Sequence, residues 1–82
     1  MITIYKYIHF AETFSKRRKT RTFDCMNNDG VTFLGDIAWH CGWRQYCFYP
    51  NDNMIFAMSC LVDINHFIQQ LMDERKSNGE AS

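Results

Sequence analysis

Cys60-Leu61-Val62-Asp63-Ile64-Asn65-His66-Phe67-Ile68-Gln69-Gln70-Leu71 is the stretch in which the periodicity of the chain changes. Cys60, Leu61, Ile64, Phe67, Ile68 and Leu71 recur at i, i+1, i+4, i+7, i+8 and i+11. Asp63, His66, Gln69, Gln70, Asp73 and Glu74 take the opposite side. This spacing describes a half-buried α-helix, predicted over residues 59–76. Ser59 is placed to cap its start, and Arg75 and Lys76 complement the dipole at its end. Asn78-Gly79 terminates the helix, and residues 77–82 are expected to fray.

Upstream of the helix the pattern has a period of two. Met1 to Phe14 puts Ile2, Ile4, Ile8 and Phe10 on one parity and Tyr5, Tyr7 and His9 on the other, which reads as a first strand. Ser15 to Thr20 is a basic connection, and Arg21 to Met26 a second strand. Asn27-Asn28-Asp29-Gly30 is the strongest turn signal in the chain, because these residue types tolerate positive φ. Val31 to His40 forms a third strand, in which Gly35 marks a bulge. Gly42 supplies a turn into a fourth strand, Trp43 to Tyr49, ending at Pro50. The expected fold is therefore α+β: a four-stranded antiparallel sheet with one C-terminal helix on one face, ββββα, with Ile64, Phe67, Ile68 and Leu71 packing on Ile37, Tyr46 and Phe48. A single helix leaves the other face bare. Some of Tyr5, Tyr7, Trp39, Trp43 and Tyr49 are expected there, making an aromatic surface for a ligand or a second copy.

Eighty-two residues make one domain, spanning 1–82. At 46% hydrophobic with a single Pro the chain is too apolar for a disordered tail, and no apolar run approaches a membrane span. The alternating start does not read as a secretory signal, so a cytoplasmic protein is expected. A core this small is thin, and self-association as a homodimer or higher oligomer would supplement it. The net charge of zero averages two unlike parts: residues 1–23 hold six basic side chains and one acid, whereas residues 24–82 hold three basic and eight acidic ones.

No catalytic motif is spelled anywhere. Cys25, Cys41, Cys47 and Cys60 lack zinc-knuckle spacing, and without an export signal they read as reduced thiols, so neither metal nor cofactor is expected. His9, His40 and His66 are isolated from one another, and Asp24, Asp36 and Asp63 are scattered, so nothing assembles a nucleophile with its base or a carboxylate pair. The run Lys16-Arg17-Arg18-Lys19-Thr20-Arg21 is different. It is either a solvated hairpin loop or a phosphate-contacting segment, and the surplus aromatics favour the second reading. Trp43 is followed directly by Arg44, and cations beside aromatic rings are how proteins hold bases and nucleotides. The candidate ligand-binding set is Lys16, Arg17, Arg18, Lys19, Arg21, Trp39, Trp43 and Arg44.

Leu34-Gly35-Asp36-Ile37-Ala38-Trp39, Trp43-Arg44-Gln45-Tyr46-Cys47-Phe48-Tyr49-Pro50 and Cys60-Leu61…Ile64…Phe67-Ile68…Leu71 follow the pattern L-G-x-I-x-W, W-R-x-Y-x-F-x-P, C-L-x-x-I-x-x-F-I. This resembles a family of small proteins of bacteriophages and bacterial mobile elements, over residues 34–71. The run at 16–19 is longer and more basic than the resemblance leads one to expect. The resemblance implies a phage-related protein of the host cytoplasm, and by analogy of size a counter-defence factor. Three functions follow as expectations. The first is capture of an anionic nucleotide immune signal. The second is direct inhibition of a host defence protein such as a nuclease. The third is enzymatic degradation of such a signal through His40 or His66. Plain nucleic-acid binding is the lesser alternative.

Overall fold

The computed structural model describes residues 1–14 and 19–77. Four strands, β1 (Ile8–Thr13), β2 (Thr22–Asn27), β3 (Phe33–His40) and β4 (Gln45–Pro50), precede one helix, α1 (Met58–Ser77). The strands pair antiparallel in the order β1-β2-β3-β4, so the ββββα architecture expected from the sequence is the one observed.

The register decides which side chains meet the helix. Phe10 lies opposite Cys25, Phe23 opposite Ile37, Ile37 opposite Phe48, and Trp39 opposite Tyr46. Ile64, Phe67 and Leu71 of α1 close over this face, and all three are buried. Phe67 is the hub: its ring stacks on Phe10 with centroids 4.0 Å apart and meets Phe23 edge-on at 4.8 Å. Ile68, Phe48 and Phe56 pack around the same core, with Phe56 edge-on to Phe48 at 5.3 Å.

Local chemistry sets the turns. In the β2–β3 hairpin the Asp29 carboxylate accepts from the backbone N–H of Val31 and of Thr32, both at 2.9 Å, and from the Thr32 hydroxyl at 2.7 Å. Those donors hold the Asp29 carboxyl below the usual range, and Gly30 takes φ +83° to close the turn. Gly35 does sit at the irregularity between β2 and β3, where the register shifts at Cys25/Met26. At φ +153° it has no room for a side chain: a Cβ there would come within 2.5 Å of the Tyr49 carbonyl oxygen and 2.8 Å of the Phe48 ring.

Three boundaries differ from the sequence reading. The first strand begins at Ile8 rather than Met1, because the chain reverses at residues 5–8 and only Ile4 bridges back, to His9. Phe10 N–H donates to the Thr3 carbonyl, and the Gln70 side chain bonds both the N–H and the C=O of Ile2, which ties this segment to the helix. Trp43 and Arg44 belong to the β3–β4 turn, not to the fourth strand. The helix starts at Met58, so Ser59 lies inside its first turn and is not its cap. The frayed tail expected over 77–82 lies outside the described residues apart from Ser77, which closes the helix.

Candidate nucleotide-binding end of the sheet

An up-and-down sheet of four strands places alternate connections at the same end. The β1–β2 and β3–β4 connections therefore share one end, and α1, running back along the sheet, brings its last turn there. Contacts fix this: the Arg21 guanidinium bridges Glu12 of β1 at 2.9 Å and Glu74 of α1 at 2.6 Å. Among the described residues, Lys19, Arg21, Arg44, Arg75 and Lys76 all lie in these connections or the last helical turn, and Lys6 alone stands elsewhere.

The candidate residues divide by what they touch. Lys16, Arg17 and Arg18 lie outside the described residues. Lys19 is exposed. Arg21 is half-buried; its Nε and Nη2 donate to Glu12 and its Nη1 to Glu74, so three of its nitrogens already hold carboxylates. The carboxylates raise the guanidinium pKa still further, and the hydrogen bonds from Arg21 hold Glu12 below the usual carboxylate range. Trp39 is on the helix-covered face, edge-on to Tyr46, with the Arg75 guanidinium 3.9 Å from its ring centroid.

Trp43 and Arg44 remain open to solvent. Their turn is built around His40. Arg44 N–H donates to the His40 carbonyl at 2.7 Å and Trp43 N–H donates to His40 Nδ1 at 3.0 Å, while the Trp43 indole stacks on the imidazole at 4.6 Å. Arg44 takes φ +54° to complete the reversal. An indole that is 68% exposed and backed by an imidazole presents one free face, and the exposed Arg44 is the next residue of the chain, a pair able to stack a base and neutralise a phosphate.

The uncovered sheet face corrects an expectation. It is not aromatic. Tyr5 and Trp39 turn to the helix side, Trp43 is in a turn, and only Tyr49 of the five sits on the open face of a strand. In their place that face carries Thr13, Thr22, Asp24, Asp36 and Cys47, with Asp24 directly opposite Asp36. The cause is the length of the β3–β4 turn, which removes Trp43 from strand parity, and the register, which past the bulge sends Gly35, Ile37 and Trp39 to the helix while Leu34 joins the core and Phe33 is left exposed.

Two other titratable groups, Tyr5 and Cys25, are held within the fold. The Tyr5 hydroxyl meets His66 Nδ1 at 2.8 Å and accepts from Gln70 at 3.1 Å, joining the N-terminal segment to α1. Burial foremost, with Asp63 nearby, raises the pKa of this phenol above its ordinary value. Cys25 is fully buried; burial foremost, with Cys60 nearby, pushes its thiol up to about 12. All four cysteines are free thiols, Cys41 being exposed. No group of three or more metal-ligating side chains occurs among the described residues. No helix among them is long and apolar enough to cross a membrane.

No family model matches the chain, and no solved structure does. A curated relative does: over 71 residues the chain is 35% identical to a protein of Acholeplasma phage L2 named "Uncharacterized 9.3 kDa protein". The match covers 87% of this chain and 91% of the relative. The phage connection expected from the sequence therefore holds, and the relative's name adds no activity to it. The chain belongs to the same family as this phage protein.

Proposed function

We propose that the protein is a non-enzymatic, phage-encoded binding protein that captures an anionic nucleotide, acting as a counter-defence factor against a host immune signal. The observation that carries this reading is the exposed Trp43–Arg44 turn set at the same end of the sheet as Lys19, Arg75 and Lys76. Lys16, Arg17, Arg18, Lys19 and Arg44 meet phosphates in this reading, and Trp43 stacks a base. Arg21 and Trp39 act one layer below, by pinning β1 and β2 to α1 and by holding Arg75 in place. The phage relationship supports the counter-defence role, since a phage gains from withdrawing a host signal.

The test is thermal unfolding of the full chain with a panel of cyclic and linear nucleotides. A ligand at one hundred times its dissociation constant adds about 2.7 kcal/mol, a rise of several degrees for a domain of this size. The nucleotide is expected back unchanged after denaturation, and charge reversal at Arg17 and Arg18 is expected to abolish the shift. No shift with any nucleotide would remove this reading and leave direct inhibition of a host protein.

A further inference from the structure

Phe14 follows β1 directly and is 88% exposed, the most exposed aromatic ring among the described residues. It opens the β1–β2 connection, and in sequence the cations Lys16 to Lys19 come just after it. Trp43 stands in the β3–β4 turn with Arg44 just after it. Both connections lie at the same end of one sheet, and their midlines are two strand spacings apart, roughly 10 Å. The core draws on neither ring: Phe10, Phe23 and Phe67 fill it without them.

We propose that Phe14 is a second stacking residue, so that the ligand carries at least two bases joined through phosphodiesters and is not a mononucleotide. This rests on the nucleotide reading of the basic end and names the ligand class. Phe14 follows edge strand β1 and Trp43 precedes β4, so the two positions are two to three strand spacings apart, roughly 10–14 Å, and at about 3.4 Å per stacked nucleotide this corresponds to about three or four steps. One base lies on Trp43, another on Phe14, and the connecting phosphates pass Arg44 and Lys19. Each ring has a cation close to it in the chain, Phe14 with Lys19 and Trp43 with Arg44, which fits alternating bases and phosphates, and an apolar partner would leave Lys19 and Arg44 without counter-charges.

The experiment is an equilibrium titration of the full chain with thymidine monophosphate, with oligothymidylates of two, four and eight residues, and with a cyclic dinucleotide. Affinity is expected to rise at least tenfold from the monophosphate to the tetranucleotide. Phe14→Ala is expected to weaken the tetranucleotide roughly 5- to 150-fold while leaving the monophosphate unchanged, and Phe14→Trp to restore it. Trp43→Ala weakens every ligand. Because Phe14 is exposed, an unchanged melting temperature verifies that each Phe14 variant folds. Preference for the eight-residue strand identifies single-stranded nucleic acid as the source of the ligand; preference for the cyclic dinucleotide identifies a signal molecule. Either supports a ligand of two or more bases. Equal affinities for the monophosphate and tetranucleotide, or a Phe14→Ala protein that binds both like the parent, overturns the second platform while the basic-end reading stands. Binding of none of these probes, the monophosphate included, removes the basic-end reading itself.

Discussion

At the scale of single residues, Phe67 and Gly35 carry opposite kinds of constraint. Phe67 has no exposed surface, stacks on Phe10 and meets Phe23 edge-on, so Phe67→Ala opens a cavity the sheet cannot collapse into. Chemical denaturation is expected to show a loss of about 3–5 kcal/mol. Gly35→Ala adds one methyl against a backbone carbonyl and a ring, at a φ that disfavours any side chain, and about 2–4 kcal/mol is expected to be lost. Trp43→Ala should fall within about 1 kcal/mol of the parent, because the indole is mostly in water. A denaturation midpoint shifted as far as that of Phe67→Ala would show Trp43 to be core. Phe67 and Gly35 are legible in the sequence, the first from helical spacing and the second as a lone glycine among strand formers. The separation of Trp39 from Trp43 is not, because it depends on whether the β3–β4 turn consumes two residues or four.

At the scale of elements, the sheet and helix are joined at one end by the Arg21 bridge to Glu12 and Glu74, and at the other strands turn through Asp29. Glu12 is depressed by hydrogen bonds from Arg21, and Asp29 by the backbone donors of Thr32 and Val31. A carboxyl whose pKa is lower folded than unfolded stabilises the fold above its unfolded pKa, near 4 by ordinary values. That stabilisation disappears as pH falls through the lower folded value. The melting temperature is therefore expected to be flat between about pH 5 and pH 8 and to decline below about pH 4. Above about pH 8 a second decline is expected, because the Cys25 thiol ionises more readily in the unfolded chain than in the fold. Glu12→Gln should lower the plateau and soften the decline; an acid limb identical to the parent's would show that the bridge contributes nothing. Element order was readable because period two gives way to period 3.6 at one place. The Arg21 bridge was not, since Glu12 and Glu74 are far apart in sequence, and only antiparallel pairing together with the helix direction brings them to one guanidinium. The reversal at residues 5–8 escaped for a related reason: alternation continues through it, and the device that holds it is the side chain of Gln70, far along the chain.

At the scale of the whole molecule, what remains is how so small a domain covers its apolar surface. The open sheet face is a poor choice for self-pairing, because two copies laid face to face would bring Asp24 and Asp36 of each toward those of the other. The start of α1 is better suited. Ile55 is 95% exposed, Met58 81%, Val62 60% and Leu61 49%, and no charged residue occurs between Asp52 and Asp63. These side chains present on the order of 500 Å² of apolar surface, more than a monomer commonly exposes in one place. Two such patches related by a two-fold axis would bury on the order of 1,000 Å², the lower limit of a specific interface. We therefore expect a dimer through residues 55–62, seen by light scattering at micromolar concentration as a particle of two chains. Val62→Glu places a carboxylate in that contact and is expected to return the monomer while leaving the melting temperature of the fold nearly unchanged, since Val62 packs little within its own chain. A parent protein that scatters as one chain, or a Val62→Glu protein that still scatters as two, would refute this interface. The basic end is reached by the last turn of α1 and the contact is formed by its first. A helix of 20 residues is about 30 Å long, so pairing at one end leaves the candidate ligand site at the other end free in both copies.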